Sequence, residues 1–176
     1  SIESANAIFT ALNSEINKEK YKAKVFYINK KGKWFNSKNS LSILKESKSL
    51  NDYNENTPFD NIKILDQIDC EDIDIWFPII HGANGEDGSI QGLLKFTQKP
   101  FVGSGILGSA LGMDKIAMKL IFSHLKIPQV NYFIIQDKDL EKKNNLKIIC
   151  NQIINKLNFP IFIKPANSGS SIGISK

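Results

Sequence analysis

The sequence contains no arginine: all 23 of its basic residues are lysines, and with 18 acidic residues they give a net charge of +5 at pH 7. Proteins that read nucleic-acid sequence rely on the planar guanidinium group of arginine to grip guanine and phosphate. The lysines are also scattered from Lys18 to Lys176 and form no basic patch. We therefore expect no nucleic-acid partner and attribute the excess of lysine to a coding bias.

Cysteine is scarce, and long apolar runs are absent. Cys70 and Cys150 lie in unrelated contexts without CxxC spacing, so the sequence predicts neither a metal site nor a disulfide framework, and a reducing cytoplasm is the natural setting. No apolar run approaches the roughly 20 residues that span a bilayer, and the N-terminus lacks the pattern of a signal peptide. The 176 residues suffice for one sizeable domain, or for one domain and part of another.

What the sequence does contain is a β-branched apolar segment followed by a glycine-rich loop. Residues 73–80, IDIWFPII, predict a strand buried on both faces, as in the parallel sheet of an α/β fold. The loop after it, residues 81–92, carries His81, Glu86 and Asp87. Because ligands bind at the carboxyl ends of strands in open α/β sheets, this loop is a candidate site. An ordinary strand-to-helix turn with solvated carboxylates explains the same residues.

Helices and strands are predicted along the rest of the chain. Apolar residues at helical spacing predict helices at residues 4–16, 41–44, 90–96, 113–127 and 140–157, the first with Ser4 as its N-cap. Short apolar runs predict strands at residues 24–28, 34–35, 101–102, 131–135 and 159–163, with a turn at 30–33 and a loop at 51–58. Because an α/β domain rarely opens on a helix, we expect a first strand upstream of Ser1.

Residues 103–108, GSGILG, match the dinucleotide-binding fingerprint G-x-G-x-x-G. That site also requires a preceding strand, a helix that opens within the motif, and an acidic residue about 20 positions later that binds the ribose. Residues 123–136 contain no Asp or Glu, so the last requirement fails. We interpret the segment as a tight turn of small residues. A nicotinamide-dependent oxidoreductase stays open as an alternative function.

A second candidate site begins at Lys164, at the end of the strand predicted at 159–163. Residues 165–174, PANSGSSIGI, offer backbone N–H groups and hydroxyls to phosphate oxygens, while the ammonium group supplies charge. In a Walker A loop the lysine follows the glycines, whereas here it precedes them. The pattern predicts a β-hairpin flap over a nucleotide, and the alternative is a solvent-exposed hairpin with a flexible tip. Lys115 is less informative, because a lone lysine at a helix start is usually solvated.

Four blocks of the sequence together resemble the D-alanine:D-alanine ligase family. They read HGxxGEDGxIQG at 81–92, VGSG at 102–105, SALxMDK at 109–115 and FPxxxKPxxxGSSxG at 159–173. The blocks occur in the family's order and span about half of the chain. The polar stretch 36–72 resembles the longer form of the family.

The resemblance implies an ATP-grasp ligase that joins two D-alanines through an acyl phosphate, for peptidoglycan synthesis. It implies ATP and Mg²⁺ (or Mn²⁺) as cofactors, a homodimer and a cytoplasmic location. The implied fold is α/β: a Rossmann-like, pre-ATP-grasp parallel-sheet domain over residues 1–114, without its first strand, then the beginning of an ATP-grasp domain over 115–176. In the family, a glutamate that orients the first D-alanine precedes the position of Ser1. The metal ligands and most of the adenine pocket follow that of Lys176. We therefore expect this chain alone to be inactive.

The resemblance also assigns site residues. His81 would lie near the first D-alanine, Ser170 would help hold the site closed, and Glu86 and Asp87 would shape their loop. The residues that would bind ATP are Lys115, Lys164, Ser168, Gly169, Ser170 and Ser171. No metal ligand is expected within the chain. The rival functions are a D-alanine:D-lactate ligase, whose determinants fall mostly beyond Lys176, and a nucleotide-binding module without ligase activity.

Overall fold

The computed structural model describes residues 1–46, 61–62, 72–141 and 145–176. Its helices are α1 (Ile2–Leu12), α2 (Ser37–Glu46), α3 (Ser89–Phe96), α4 (Ile106–Met113), α5 (Lys115–His124), α6 (Asp137–Leu140) and α7 (Asn145–Lys156). Its strands are β1 (Tyr27–Ile28), β2 (Trp34–Phe35) and β3 (Asn61–Ile62). The loop predicted at 51–58 lies outside the described residues. Across those residues, no helix combines the length and the hydropathy needed to cross a membrane.

The chain forms two compact units, one of Ser1–Ile80 with Lys95–Val102 and one of His81–Leu94 with Gly103–Lys176. The first unit contains an antiparallel sheet in the order β1-β2-β3. Gly32 adopts a φ of +76° in the turn between β1 and β2, a left-handed conformation that glycine adopts without steric cost. The hairpin predicted from residues 24–35 is confirmed.

Helix α2 packs on this hairpin through a buried serine. The Ser40 hydroxyl accepts a hydrogen bond from the Tyr27 backbone N–H at 2.8 Å and donates one to the Phe35 carbonyl oxygen at 3.0 Å. The hydrophobic side chains around it are buried, namely Trp34, Phe35, Ile43 and Leu44. Full burial of such a side chain contributes about 1.5–3 kcal/mol. These residues make the hairpin and α2 part of the core of the first unit, to which Ile73 and Trp76 also belong.

The segment 73–80 is not the strand buried on both faces that its sequence predicts. Trp76 forms a single parallel bridge with Phe101, while Ile75 and Phe77 are 55% and 50% exposed. A strand inside a parallel sheet needs a neighbour on each edge, and among the described residues only 100–102 pair with this segment. The observed fold mixes helices with a small antiparallel sheet. The Rossmann-like parallel sheet is not confirmed.

The second unit contains most of helix α3 and helices α4, α5, α6 and α7. Helix α4 begins at Ile106, inside the GSGILG motif, with Gly105 as its N-cap; the sequence analysis missed this helix. The helix predicted at 113–127 is confirmed as α5, which is shorter, and that at 140–157 is confirmed as α7.

Two predicted strands and one predicted cap differ from the structure. Residues 131–135 are irregular, and 159–163 contributes only Ile163, in an antiparallel bridge with Ser175. Phe159 and Phe162 are largely exposed, because no further strand in the described part of the chain covers them. Helix α1 begins at Ile2, so Ser4 lies inside it and is not its N-cap.

Candidate functional site

His81 opens the loop 81–88, which the carboxylate of Glu86 closes. One oxygen of Glu86, Oε2, accepts a hydrogen bond from the Gly82 N–H at 2.6 Å. The other, Oε1, lies 4.0 Å from Nδ1 of His81, whose side chain is 54% exposed. Glu86 therefore shapes the loop and contacts the histidine that the loop presents.

Asp87 fixes the other half of this loop. Its Oδ2 accepts from the Asn84 N–H at 2.8 Å, and its Oδ1 accepts from the Ser89 N–H at 3.0 Å, at the first residue of α3. These backbone donors, that of Asn84 first, hold the pKa of Asp87 below its ordinary value of 3.8. The expectation that Glu86 and Asp87 shape the loop agrees with these contacts.

Helix α3 contacts the loop through the side chain of Gln91, a residue that the sequence analysis missed. Its side chain is only 7% exposed, and its Nε2 donates to the Gly85 carbonyl oxygen at 2.9 Å. Its Oε1 has no hydrogen-bond partner within the described part of the chain. A glutamine on an amphipathic helix carries no sequence signal that would distinguish this buried position.

Gly88 brings the loop against the start of α4. It has a φ of +95°, and a Cβ atom there would lie 2.9 Å from the Ile106 carbonyl oxygen. Any larger residue would push the loop away from the helix. The glycine is therefore required by both its conformation and its close contact.

Asp114 joins α4 to α5 as the C-cap of the first helix and the N-cap of the second. Its Oδ1 accepts from the backbone N–H groups of Ile116 and Ala117 at 2.8 and 2.9 Å. These are donors that the helix start leaves without an intrahelical partner. An aspartate directly before an apolar helical repeat is a sequence signal of such a cap.

Lys115 is the first residue of α5, and it contacts Ala166, which lies 51 positions later in the chain. Its backbone N–H donates to the Ala166 carbonyl oxygen at 3.0 Å. Its Nζ donates to the same oxygen at 3.5 Å and to the carbonyl oxygen of Ser168. The side chain is thus directed at the base of the predicted flap and is not free in solvent.

The predicted flap is a loop of turns that one antiparallel bridge closes. Ile163 and Ser175 exchange two backbone hydrogen bonds, of 2.8 and 3.0 Å, so the chain turns back on itself after Lys164. The tip contains two consecutive non-glycine residues with positive φ, Ser170 at 50° and Ser171 at 61°. Such conformations cost about 1–3 kcal/mol each and concentrate at functional sites. The predicted reversal of the chain after Lys164 is confirmed, but the two predicted hairpin strands are reduced to a single bridge, and closure over a nucleotide stays a prediction.

A cavity of about 240 Å³ lies where these segments meet in the second unit. The residues that line it come from the glycine loop, α4, the helix junction and the flap base: Ala83, Asp87, Ala110, Met113, Asp114 and Asn167. Lys115 and Ser168 are the chain neighbours of two of them. Three of these residues are apolar, and the polar ones are two carboxylates, of Asp87 and Asp114, and the Asn167 amide.

The structure therefore brings some predicted site residues together and leaves others apart. Lys115 contacts the flap at Ser168; Gly169, Ser170 and Ser171 form the flap tip; and Lys164 is exposed at its base. The contacts of His81 described above lie within its own loop, which reaches the same cavity through Ala83 and Asp87. Within the described ranges, no group of three His, Cys, Asp or Glu side chains could hold a metal ion.

Comparison with known proteins shows which families and proteins this chain is similar to. A family model described as D-ala D-ala ligase N-terminus matches residues 1–104, and one described as D-ala D-ala ligase C-terminus matches 121–176. The D-alanine–D-alanine ligases of Prochlorococcus marinus strains MIT 9312 and AS9601 are 58% and 54% identical, over 100% of this chain and 50% of their own length. The chain spans about half the length of the curated relatives it matches.

Solved structures that are similar to this chain are also ligases of this kind. The VanG D-Ala:D-Ser ligase from Enterococcus faecalis superposes with a TM-score of 0.66 at 29% identity, over 99% of this chain and 50% of that chain. The D-alanine-D-alanine ligase from Coxiella burnetii, at 24% identity, has the same fold with a TM-score of 0.68 over 98% of this chain and 50% of that chain. The resemblance drawn from four short sequence blocks is confirmed, since a family model covers more than half of the residues: the chain belongs to the D-ala D-ala ligase family.

Proposed function

We propose that this chain is part of an ATP-dependent ligase that joins two D-alanines to D-alanyl-D-alanine for peptidoglycan synthesis. The observation that carries the proposal is the contact of Lys115 with the base of the flap, beside a small cavity. The names of the relatives that match the whole chain supply the substrate class.

The flap and the two lysines suit ATP phosphates. Lys164 and Lys115 supply two positive charges, and the Gly/Ser tip from Ser168 to Ser171 supplies backbone N–H groups and hydroxyls. Phosphoryl transfer depends on positioning and on neutralisation of charge more than on a protein nucleophile. Neither function requires a covalent bond between the substrate and a side chain of this chain.

The proposed reaction has two steps. A carboxylate oxygen of the first D-alanine attacks the γ-phosphorus of ATP, and ADP leaves with the electron pair of the broken P–O bond. The amine of the second D-alanine then attacks the acyl carbon, loses a proton, and expels inorganic phosphate. We assign His81 to the neighbourhood of the first D-alanine and the flap, with Ser170, to closure of the site. Closure excludes the water that would otherwise hydrolyse the acyl phosphate.

Mg²⁺ or Mn²⁺ on the ATP phosphates would neutralise further charge. The described residues include no cluster of ligands that fits such an ion, so we assign no step of the reaction to a metal held by this part of the chain. The proposal includes the finer fold, with a Rossmann-like domain over residues 1–114 and the start of an ATP-grasp domain over 115–176. It also includes assembly as a homodimer and a cytoplasmic location. Separate family models on either side of residues 105–120 support a boundary in that region.

Phosphate release from ATP tests the function, measured on a ligase of full family length that carries this chain. With Mg²⁺ present, the additions are none, D-alanine, L-alanine, D-alanine with D-lactate, and D-alanine with D-serine. We expect stimulation by D-alanine alone and a dipeptide in the mass spectrum. The serine arm is included because a D-Ala:D-Ser ligase is among the structural neighbours. Stimulation only in a mixed arm would identify a different second substrate, and no stimulation by D-alanine would contradict the ligase.

A further inference from the structure

We propose that the ammonium group of Lys115 fixes the base of the flap before nucleotide binds, which makes Lys115 a positioning residue for the flap. The inference deepens the proposed function. Its statement about nucleotide rests on that function, whereas its statement about the flap rests on the contacts of Lys115 alone. The segment concerned runs from Ala166 to Ser175 and is called the flap below.

The contacts are concentrated on one residue of α5. The backbone N–H and the Nζ of Lys115 both donate to the Ala166 carbonyl oxygen, at 3.0 and 3.5 Å, and Nζ also donates to the Ser168 carbonyl oxygen. An ammonium group has three N–H donors. Two are directed at the flap, so one donor is left for a phosphate oxygen without release of the flap.

The charge of this ammonium group is not neutralised by its partners. Carbonyl oxygens are neutral, and no carboxylate forms an ion pair with Lys115 within the described ranges of the chain. The Asp114 carboxylate beside it accepts from Ile116 and Ala117. A cation that is held in place but still attracts an anion is preorganised for phosphate.

The flap needs such an anchor because its own hydrogen bonds are few. One bridge joins Ile163 to Ser175, and two bonds close the tip, from the Ile172 N–H to the Gly169 carbonyl oxygen at 3.1 Å and from the Ile174 N–H to the Ser171 carbonyl oxygen at 3.4 Å. Ser170 and Ser171 are in the left-handed region, which adds local strain. Segments with few buried contacts open at low free energy, so a bond to a helix changes their opening measurably.

Competitive acetylation of lysines tests the anchor without any substitution. In the nucleotide-free, full-length ligase, mass spectrometry compares the labelling rate of Lys115 with that of Lys164, which is exposed. Because its donors are engaged with two carbonyl groups, we expect Lys115 to react roughly tenfold more slowly. Equal rates would overturn the proposal.

Hydrogen exchange of the flap amides then separates the anchor from simple burial. Lys115→Met keeps the backbone bond and the aliphatic stem but removes the ammonium group. We expect it to raise exchange of the 169–175 amides roughly tenfold. Lys119→Met, on the same helix one turn later, serves as the control and should leave flap exchange unchanged. Equal flap exchange in Lys115→Met and the unsubstituted protein would overturn the proposal.

The same variant distinguishes the two proposed roles of Lys115, which are anchoring of the flap and binding of phosphate. If Lys115→Met weakens ATP use while flap exchange is unchanged, Lys115 is a phosphate ligand alone, and the anchor is wrong while the ligase proposal stands. If flap exchange rises while the KM for ATP is unchanged, the anchor stands and the assignment of Lys115 to phosphate is wrong.

Discussion

At the residue scale, the glycine loop takes its shape from two carboxylates that accept backbone hydrogen bonds. Glu86 binds the Gly82 N–H, and Asp87 binds those of Asn84 and Ser89. A backbone N–H bonded to a carboxylate contributes more than a neutral hydrogen bond. The loop can therefore hold His81 at a defined place although its side chain is half exposed.

His81 is expected to serve the first D-alanine and not the loop. In the full-length ligase, His81→Ala should raise the KM for D-alanine roughly tenfold, because a hydrogen bond to a charged substrate group is lost. The KM for ATP and the midpoint of thermal unfolding should change little. A lower unfolding midpoint with an unchanged KM for D-alanine would show that His81 only stabilises its turn.

The pKa of Asp87 predicts how the loop responds to acid. Since the pKa in the folded protein lies below 3.8, the two bonds stabilise the fold fully above about pH 4 and are lost as the pH falls through the folded pKa. Asp87→Asn removes this titration. Urea unfolding at about pH 7 and about pH 3 should therefore show a stability difference between the two proteins that shrinks in acid. A difference that stays constant with pH would contradict the assignment.

Residue roles could be predicted only where the residue type carries a signal. Glu86 and Asp87 stood among glycines, and Lys164 preceded a Gly/Ser loop, so each attracted a hypothesis from sequence. Gln91 did not, because its importance lies in its burial and in one bond to Gly85, which the sequence does not encode locally. The contact of Lys115 with Ser168 could not be predicted either, because the two residues are 53 positions apart in the sequence.

At the element scale, the junction of α4 and α5 determines where Lys115 points. Asp114 ends one helix and starts the next within a single residue. The direction of α5, and with it the position of the Lys115 side chain at the flap, depends on this cap.

Asp114→Ala is expected to lower the free energy of unfolding by about 1 kcal/mol, as loss of an N-cap typically does. Asp114→Asn is the matched control, because asparagine caps helices nearly as well and should restore most of the loss. Urea unfolding of the two variants and the unsubstituted protein measures both effects. Equal destabilisation by alanine and asparagine would show that the charge, and not the cap, matters.

Helices were more predictable than strands for a physical reason. An α-helix satisfies its own backbone hydrogen bonds, so the apolar period of α2, α3, α5 and α7 was enough to predict them. A strand depends on neighbours, and the segments 73–80 and 159–163 find only single bridges among the described residues. Helix α4 was missed because its first residues lie in a glycine-rich motif that also fits a turn.

At the scale of the whole molecule, the fold family was predicted from the order of four short motifs and not from the sheet. Family models match residues 1–104 and 121–176, and the chain covers half of the length of its curated relatives. The second unit nevertheless assembles the glycine loop, the helix junction and the flap around one cavity. We therefore expect a ligase of full family length that carries this chain to form the dipeptide.

The transfer of oxygen from substrate to phosphate tests the proposed acyl-phosphate reaction most directly. The full-length ligase is supplied with ATP, Mg²⁺ and D-alanine whose carboxylate carries ¹⁸O, and the released phosphate is analysed by mass spectrometry. An acyl phosphate leaves one carboxylate oxygen on phosphorus, so we predict one ¹⁸O atom in the phosphate released with each dipeptide. Phosphate released without ¹⁸O would show that water, and not the D-alanine carboxylate, attacks ATP, and it would contradict the proposed ligase.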